Sequence, residues 1–177
     1  CTGGGREGDD RDRVGSELRA GDEMAFEMSP IGIVRSDRAE VVDDNWGAVE
    51  SVIELDEDML DADATLGLED FSHLEVVFGF HLCDPEATTI GSRHPRGDTS
   101  LPRVGVLAQR VKDRPNHLGV SRCEIVDVDR LRIRVRGLDA IDGSPVFDVK
   151  PFLQSMVPAR EDVSEPSWVA SVMKNYF

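Results

Sequence analysis

The chain has 177 residues, 40% of them hydrophobic, which is enough for one domain with a core of its own. Against 20 Lys and Arg stand 35 Asp and Glu, a formal net charge of −15 that argues against a general nucleic-acid-binding protein. The charge is uneven, since residues 2–99 hold 25 acidic and 8 basic residues whereas residues 100–177 hold 10 and 12. The segment 37–75 alone has 14 acidic residues and one Arg, and a solvated surface is its simplest interpretation.

Neither a membrane span nor a metal site is predicted. No apolar run approaches the roughly 18 residues of a membrane-crossing helix and no positively flanked signal segment is present, so we expect a cytoplasmic protein without a membrane partner. The three cysteines, Cys1, Cys83 and Cys123, lack CxxC or Cys/His ligand spacing. We therefore expect no disulfide framework and no metal, with Cys83 and Cys123 as small core residues.

The elements of the first half are separated by polar segments. Residues 1–29 are Gly-rich and charged with little apolar periodicity, which predicts a flexible acidic leader before a domain of residues 30–177. The β-branched run at 31–36 and the alternating run at 48–55 are typical of strands. A longer aromatic and β-branched run at 71–82 predicts a central strand.

The second half repeats short strand patterns after a polar loop at 83–103 that contains three prolines and two glycines. Strand-like runs follow at 104–110, 119–128, 131–138 and 144–152. The helical spacing at 165–177 predicts a short helix, in which Trp168 is a core or dimer contact. Short strands joined by turns predict a mainly β fold, a small antiparallel β-barrel with a short C-terminal helix.

Four sequence blocks resemble the TsaA-like family, also called the TrmO family. They are PIGIVRS (30–36), GLEDFSHLEVVFGFH (67–81), GVLAQRVKDRPNHLGVS (105–121) and GLDAIDGSPVFDVKPF (137–152). The resemblance implies an S-adenosylmethionine-dependent methyltransferase built on a small β-barrel. It also implies a homodimer that methylates N6 of threonylcarbamoyladenosine beside the tRNA anticodon.

The resemblance also implies which positions bind S-adenosylmethionine. By motif position these are His81, Leu82, Arg110, Val120, Asp139, Ala140, Ile141 and Asp142. Where many members have Pro-Arg-Gln, this sequence has Asp44, Asn45 and Trp46 as the nearest equivalents. Two departures are that His117 stands where proline is usual, and that the C-terminal domain of longer bacterial members has no counterpart in the sequence.

The chemistry of methyl transfer suggests roles for these and neighbouring residues. Asp139 and Asp142 suit an ammonium group or ribose hydroxyls, and Arg110 or Arg114 suits the donor carboxylate. Aromatic faces suited to a cationic sulfur are offered by Trp46, Phe78 and Phe80. For the proton of the methyl acceptor, the candidate catalytic residues are His117 and Asp148, with Lys150 as a partner that could fix Asp148.

Simpler alternatives remain for each feature. Asp139 and Asp142 could only shape a turn, and Asp148 with Lys150 could be a structural ion pair. The acceptor could be tRNA, a small molecule or a peptide, or the chain could be a non-catalytic S-adenosylmethionine-binding regulatory module. The overall acidity argues against tRNA. A local basic face could still be built from Arg103, Arg110, Lys112, Arg114, Arg122, Arg130, Arg132, Arg134 and Arg136.

Overall fold

A computed structural model describes residues 27–177. Its strands are β1 Gly32–Ser36, β2 Glu50–Leu55, β3 His73–Gly79, β4 Ser92–Arg93, β5 Val104–Gly105, β6 Leu118–Asp129, β7 Arg132–Arg136 and β8 Pro145–Pro151. Six of them close into an antiparallel barrel in the order β1-β2-β7-β6-β3-β8, while β4 and β5 form a separate pair. The short helix α1, Val169–Val172, lies near the C-terminus. The predicted mainly β barrel with a short C-terminal helix is confirmed.

The predicted leader is only partly visible. Residues 1–26 lie outside the described residues, and residues 27–29 are exposed and have no secondary structure. In the described part of the chain, no helix has the length and apolar character needed to cross a membrane.

Alternation along the strands separates the barrel core from the outer face. In β7, Ile133 and Val135 are fully buried, whereas Arg132 and Arg134 between and beside them are exposed. The same period of two places one face of the barrel strands inside. The core comprises Val34, Ile53, Leu74, Val76, Phe78, Cys123, Ile133, Val135, Leu138, Ala140 and Val146.

One glycine is required for the packing of β3 against β6. Phe78 pairs with Gly119 across the two strands, and a Cβ at Gly119 would lie 2.4 Å from Phe78 Cζ. No side chain fits at that distance, so the glycine of the RPNHLG turn makes room for the Phe78 ring. A bulge in the β3–β8 pairing falls between Val77 and Phe78, just before the chain leaves the barrel.

The predicted strand at 104–110 is wrong for most of its length. Only Val104–Gly105 pairs, and a three-residue 3-10 helix follows at Val106–Ala108. The chain leaves the ladder in this 3-10 turn, next to which the buried Gln109 donates from Nε2 to the carbonyls of Arg93 (3.2 Å) and Val104 (3.0 Å). These hydrogen bonds fix the turn against the β4–β5 pair.

Ion pairs cover the outer face of the barrel and join the acidic first half of the chain to the second half. Glu54 accepts hydrogen bonds from Arg35 at 2.8 Å and Arg132 at 2.5 Å. Arg136 bridges Glu50 and Glu124, at 2.7 and 2.8 Å. Part of the acidic excess of residues 37–75 is therefore balanced by arginines that lie close in space but much later in the sequence.

Candidate functional site

A cavity of about 720 Å³ lies beside the barrel, within the range of roughly 300–1,000 Å³ that is typical of small-molecule sites. Segments far apart in sequence line it: the loop at 41–46, the end of β3 and the residues after it, the loop at 108–113, the turn at 139–141 and the tail at 168–177. The polar groups on this lining determine which ligand the cavity could hold.

Eight of the twelve predicted donor-binding residues meet at this cavity. They are Trp46, His81, Leu82, Arg110, Val120, Asp139, Ala140 and Ile141. Because these residues come from five separate segments, their convergence is a property of the fold and not of local sequence. The cavity is therefore the candidate functional site.

Asp139 contributes a buried oxygen that lacks a partner. Its Oδ2 accepts a hydrogen bond from the phenol of Tyr176 at 2.5 Å. Its Oδ1 is buried and has no hydrogen-bond partner among residues 27–177. An unsatisfied buried oxygen is unfavourable, and an N–H or O–H of a ligand would satisfy it.

Arg110 is a cation of the lining with no acidic partner within 4.0 Å in the part of the chain that the structure describes. One guanidinium nitrogen donates to the carbonyl of Val120, which leaves other N–H groups for a carboxylate. The other arginines of the lining are paired: Arg93 with Asp113, Arg96 with Asp44 and Arg122 with Glu75.

His81 joins the end of β3 to the DGSP turn. Its Nδ1 lies 3.4 Å from the hydroxyl of Ser144, and Gly143 packs against the same ring. Gly143 has φ +79°, in the left-handed region that glycine adopts without strain. The two motifs that the resemblance connects are thus in contact.

Gln109 is a site residue that the sequence analysis did not single out. It lines the cavity, and its Oε1 is buried without a partner among the described residues. Together with Asp139 Oδ1, it gives the lining two unpartnered buried acceptors. S-adenosylmethionine carries amine and hydroxyl donors, so the residues present fit this group.

The predicted aromatic residues have different environments. Trp46 is buried, and the guanidinium of Arg38 lies 3.8 Å from the centroid of its ring, so one face of Trp46 is already occupied by a cation. Phe78 and Phe80 both line the cavity and meet edge to face, with ring centroids 5.2 Å apart. One face of the Trp46 ring therefore contacts Arg38, and only the rest of the ring is available to a ligand.

Two residues predicted from the Pro-Arg-Gln position lie outside the lining. Asp44 binds Arg96 through both carboxylate oxygens, at 2.6 and 2.9 Å, and this pairing lowers the pKa of Asp44. Asn45 has φ +64° and donates its N–H to the carbonyl of Asn175 at 2.8 Å. Contacts within the protein use the carboxylate of Asp44 and the backbone groups of Asn45, and neither residue lines the cavity.

Arg114 and Asp142 also lie outside the lining. Arg114 donates to the carbonyl of Gln109 at 3.4 Å. Asp142 Oδ1 accepts from the N–H of Ser36 at 3.0 Å, and its own N–H donates to the carbonyl of Arg38. Asp142 thus joins its turn to the end of β1, and its role in donor binding stays a prediction.

The three candidate catalytic residues do not line the cavity. Asp148 and Lys150 form an ion pair with each other, and Asp148 also accepts from the N–H of Val149 at 2.9 Å. His117 Nε2 lies 2.9 Å from the hydroxyl of Thr88, and its φ of +48° is one that proline cannot adopt. The structure thus brings none of these three to the groups that converge at Asp139.

The C-terminal tail is the largest part of the site that sequence reasoning missed. Trp168, Val169, Val172, Met173, Tyr176 and Phe177 all line the cavity. Helical spacing predicted Trp168 as a core or dimer contact, but no motif connects the tail to Asp139. Tyr176 is the single tyrosine of the chain, and a buried phenol needs a hydrogen-bond partner; that is the only signal the sequence offers.

The cysteines differ from each other. Cys123 is in the core, where burial raises the pKa of its thiol to about 12. Cys83 lines the cavity instead, and burial followed by the nearby Asp113 raises the pKa of its thiol. Across residues 27–177, His, Cys, Asp and Glu side chains form no group of three or more that could hold a metal ion.

Comparisons with known proteins agree with this arrangement. The family model of the tRNA-methyltransferase O N-terminal domain matches residues 43–156, more than half of the chain. A protein of Methanothermobacter thermautotrophicus named "Probable S-adenosyl-L-methionine-binding protein" is 35% identical over 138 residues, which cover 76% of this chain and 95% of that one.

Two further relatives are longer than the matched region. The tRNA (adenine(37)-N6)-methyltransferase of Escherichia coli is 36% identical over 73% of this chain, and the match spans 58% of the bacterial enzyme. A crystal structure of TrmO from Pseudomonas aeruginosa superposes with a TM-score of 0.61 and 28% identity, over 81% of this chain and 64% of that one. The match of the family model and the identity to these relatives confirm what the four sequence blocks predicted: the chain belongs to the TrmO, or TsaA-like, family.

Proposed function

We propose that the chain is an S-adenosylmethionine-dependent methyltransferase and that the cavity beside the barrel is its donor pocket. The single observation that carries this proposal is the convergence of Arg110, Asp139 and His81 on one cavity in a member of this family. A cation and a carboxylate oxygen, both without protein ion-pair partners in residues 27–177, match the carboxylate and the ammonium group of a zwitterionic amino acid.

The residues of the cavity would act by binding and orienting. When bound, S-adenosylmethionine supplies a methyl group on a cationic sulfur, which a nucleophile displaces in line. Arg110 would hold a carboxylate, and Asp139 Oδ1 would accept from an N–H or O–H of the donor. Fixing the donor in this way lets a nitrogen acceptor approach along one direction, which is how positioning lowers the barrier.

The acceptor we propose is N6 of threonylcarbamoyladenosine in tRNA. Support comes from cations at the loop beside the cavity: among the described residues, Arg103, Arg110 and Arg114 have no acidic partner within 4.0 Å. On the outer face of the barrel, by contrast, each arginine of β7 lies within 4.0 Å of a carboxylate. Phosphates would therefore contact the loop at 103–114 and not the arginine-rich strand.

Acidity supports a second candidate, methylation of a small molecule or a peptide. The net charge of −15 weakens phosphate binding. A third candidate is donor binding without catalysis, which the name of the Methanothermobacter relative allows.

We also propose a homodimer in the cytoplasm, where a tRNA acceptor would be found. Leu82 and Val120 line the cavity, yet 61% and 46% of their surface is exposed. Apolar side chains at the rim of a binding site are typical of a surface that a second copy covers. Sedimentation or light scattering of the purified chain measures whether it is a dimer.

One experiment separates the three functions. The protein is incubated with methyl-labelled S-adenosylmethionine and a cell extract, which is then divided into RNA, protein and small-molecule fractions. Label in the RNA fraction, lost after digestion of tRNA, supports the proposed acceptor. Label only in the small-molecule or protein fraction establishes the second candidate, and donor binding without any transfer leaves the third.

A further inference from the structure

We propose that the tail of residues 168–177 forms a wall of the donor pocket and that Tyr176 is a positioning residue for Asp139. Tyr176 would fix the carboxylate of Asp139 so that Oδ1 faces the ligand. This inference rests on the proposed function, because it assigns a role within the same donor pocket. It concerns a segment beyond the family match, which ends at residue 156.

Backbone contacts fix the tail in place. The N–H groups of Asn45 and Trp46 donate to the carbonyls of Asn175 and Tyr176, each at 2.8 Å. A Cβ at Gly47 would lie 2.9 Å from the backbone carbonyl carbon of Phe177, so the loop has no room for a side chain where the tail packs against it. The tail is therefore held by the same loop that contributes Trp46 to the cavity.

The size of the cavity shows that the tail is a wall and not a plug. With six tail residues in its lining, the cavity still has a volume of about 720 Å³. That volume lies well inside the range of small-molecule sites, roughly 300–1,000 Å³. A small molecule therefore fits beside the tail, and we infer that the contacts of the tail need not break when the site is filled.

The hydrogen bond between Tyr176 and Asp139 has a definite direction. Burial, and then the facing Asp139 carboxylate, raise the pKa of the Tyr176 phenol well above its usual range, so the phenol stays protonated and donates. A carboxylate rotates easily about its terminal torsion, and this bond to Oδ2 removes that freedom. The buried Oδ1 is then presented in one orientation without a partner among the described residues.

A double-mutant cycle tests the role. Affinity for S-adenosylhomocysteine, the demethylated donor, is measured by calorimetry for the wild type, Tyr176→Phe, Asp139→Ala and the double variant. We expect Tyr176→Phe to weaken binding about tenfold, since a hydrogen bond to a charged group is lost. In the Asp139→Ala background, which offers the phenol no acceptor, the same change should have little further effect, because Tyr176 acts through Asp139.

Ser171→Ala is the matched control, because it also removes a hydroxyl from the tail. That hydroxyl binds the carbonyl of Trp168 at 2.7 Å, and Ser171 does not line the cavity. Its affinity should equal that of the wild type, and the melting temperatures of all variants show that they fold.

Two results overturn the inference and are distinguishable. If the wild type binds S-adenosylhomocysteine and Tyr176→Phe binds it equally well, or if the two substitutions weaken binding independently, Tyr176 has no positioning role while the donor pocket stands. If the folded wild type binds no S-adenosylhomocysteine, the proposed function fails and the inference fails with it.

Discussion

The outer face of the barrel and the cavity differ in how their charged groups are partnered. On the outer face, Glu54 contacts two arginines, and Arg136 contacts two glutamates. At the cavity most arginines are paired as well, but Arg110 and one oxygen of Asp139 have no such partners among residues 27–177. The outer charges therefore satisfy each other, whereas Arg110 and Asp139 Oδ1 remain available to a ligand.

This difference changes what the charge distribution means. The second half of the chain has 12 basic residues, and counting them suggests a basic face. The acidic residues of β2 neutralise Arg132 and Arg136, so these arginines offer little attraction to phosphate. Arg103, Arg110 and Arg114 have no acidic partner among residues 27–177, so they are the cations that would contact phosphate under the proposed function.

The largest expected effect comes from the unpartnered groups of the cavity. Arg110→Ala or Asp139→Ala should weaken binding of S-adenosylhomocysteine by about 10-fold to 100-fold, because each removes a charge-assisted hydrogen bond. Calorimetry measures the affinity. Arg132→Ala is the control, since it removes an arginine whose charge the outer face already pairs. Equal losses in all three variants would erase the distinction between the two regions.

A smaller effect is expected for tRNA. The double variant Arg103→Ala, Arg114→Ala should bind tRNA more weakly, and the slope of log affinity against log salt should fall by about 1 to 2 units as two phosphate contacts are lost. The double variant Arg132→Ala, Arg134→Ala should keep the wild-type slope. Filter binding across a salt series provides the measurement, and the opposite ranking would place tRNA on the barrel.

Acid should weaken the barrel through its outer ion pairs. Hydrogen bonds from Arg136 and Arg35 hold the pKa values of Glu50 and Glu54 below their usual range. A lowered folded-state pKa adds stability above the unfolded value, about 4.3, and this stability is lost as pH falls through the folded value. The melting temperature should decrease as the pH is lowered below about 5, and this decrease should be less steep in Glu54→Gln. A parallel decline in both proteins would contradict this assignment.

The smallest effect is expected for the candidate catalytic residues outside the cavity. Asp148→Asn, Lys150→Met and His117→Ala should change the affinity for S-adenosylhomocysteine by less than about twofold, which is under 0.5 kcal/mol. Their polar groups already contact each other or Thr88. A loss as large as that of Asp139→Ala would place β8 in the donor site.

Alternation and motif order predicted the barrel well. The alternating pattern of β7 identifies its buried Ile133 and Val135, and the helical spacing of the tail identifies α1. The predicted strand at 104–110 failed because the chain turns away after Gly105, and the buried Gln109 side chain fixes that turn with its own hydrogen bonds. A side chain that satisfies the backbone across a loop leaves no periodic signal.

Within the site, residue type did not determine role. Asp139 and Asp142 lie three residues apart in one turn, yet Asp139 faces the cavity and Asp142 accepts the N–H of Ser36. Tyr176 lies 37 residues from Asp139, and only folding brings the two together. Most of the motif positions thus line the cavity, whereas the hydrogen-bond partners of each group could be read only from the structure.

The most direct measurement of the central claim is nucleoside mass spectrometry of purified tRNA after incubation with the chain and S-adenosylmethionine. The tRNA carries threonylcarbamoyladenosine without its methyl group, and tRNA lacking that modification is the control. We predict one added methyl group on threonylcarbamoyladenosine, and none with Arg110→Ala at limiting donor. Donor binding without any methyl transfer to the modified tRNA would contradict the account.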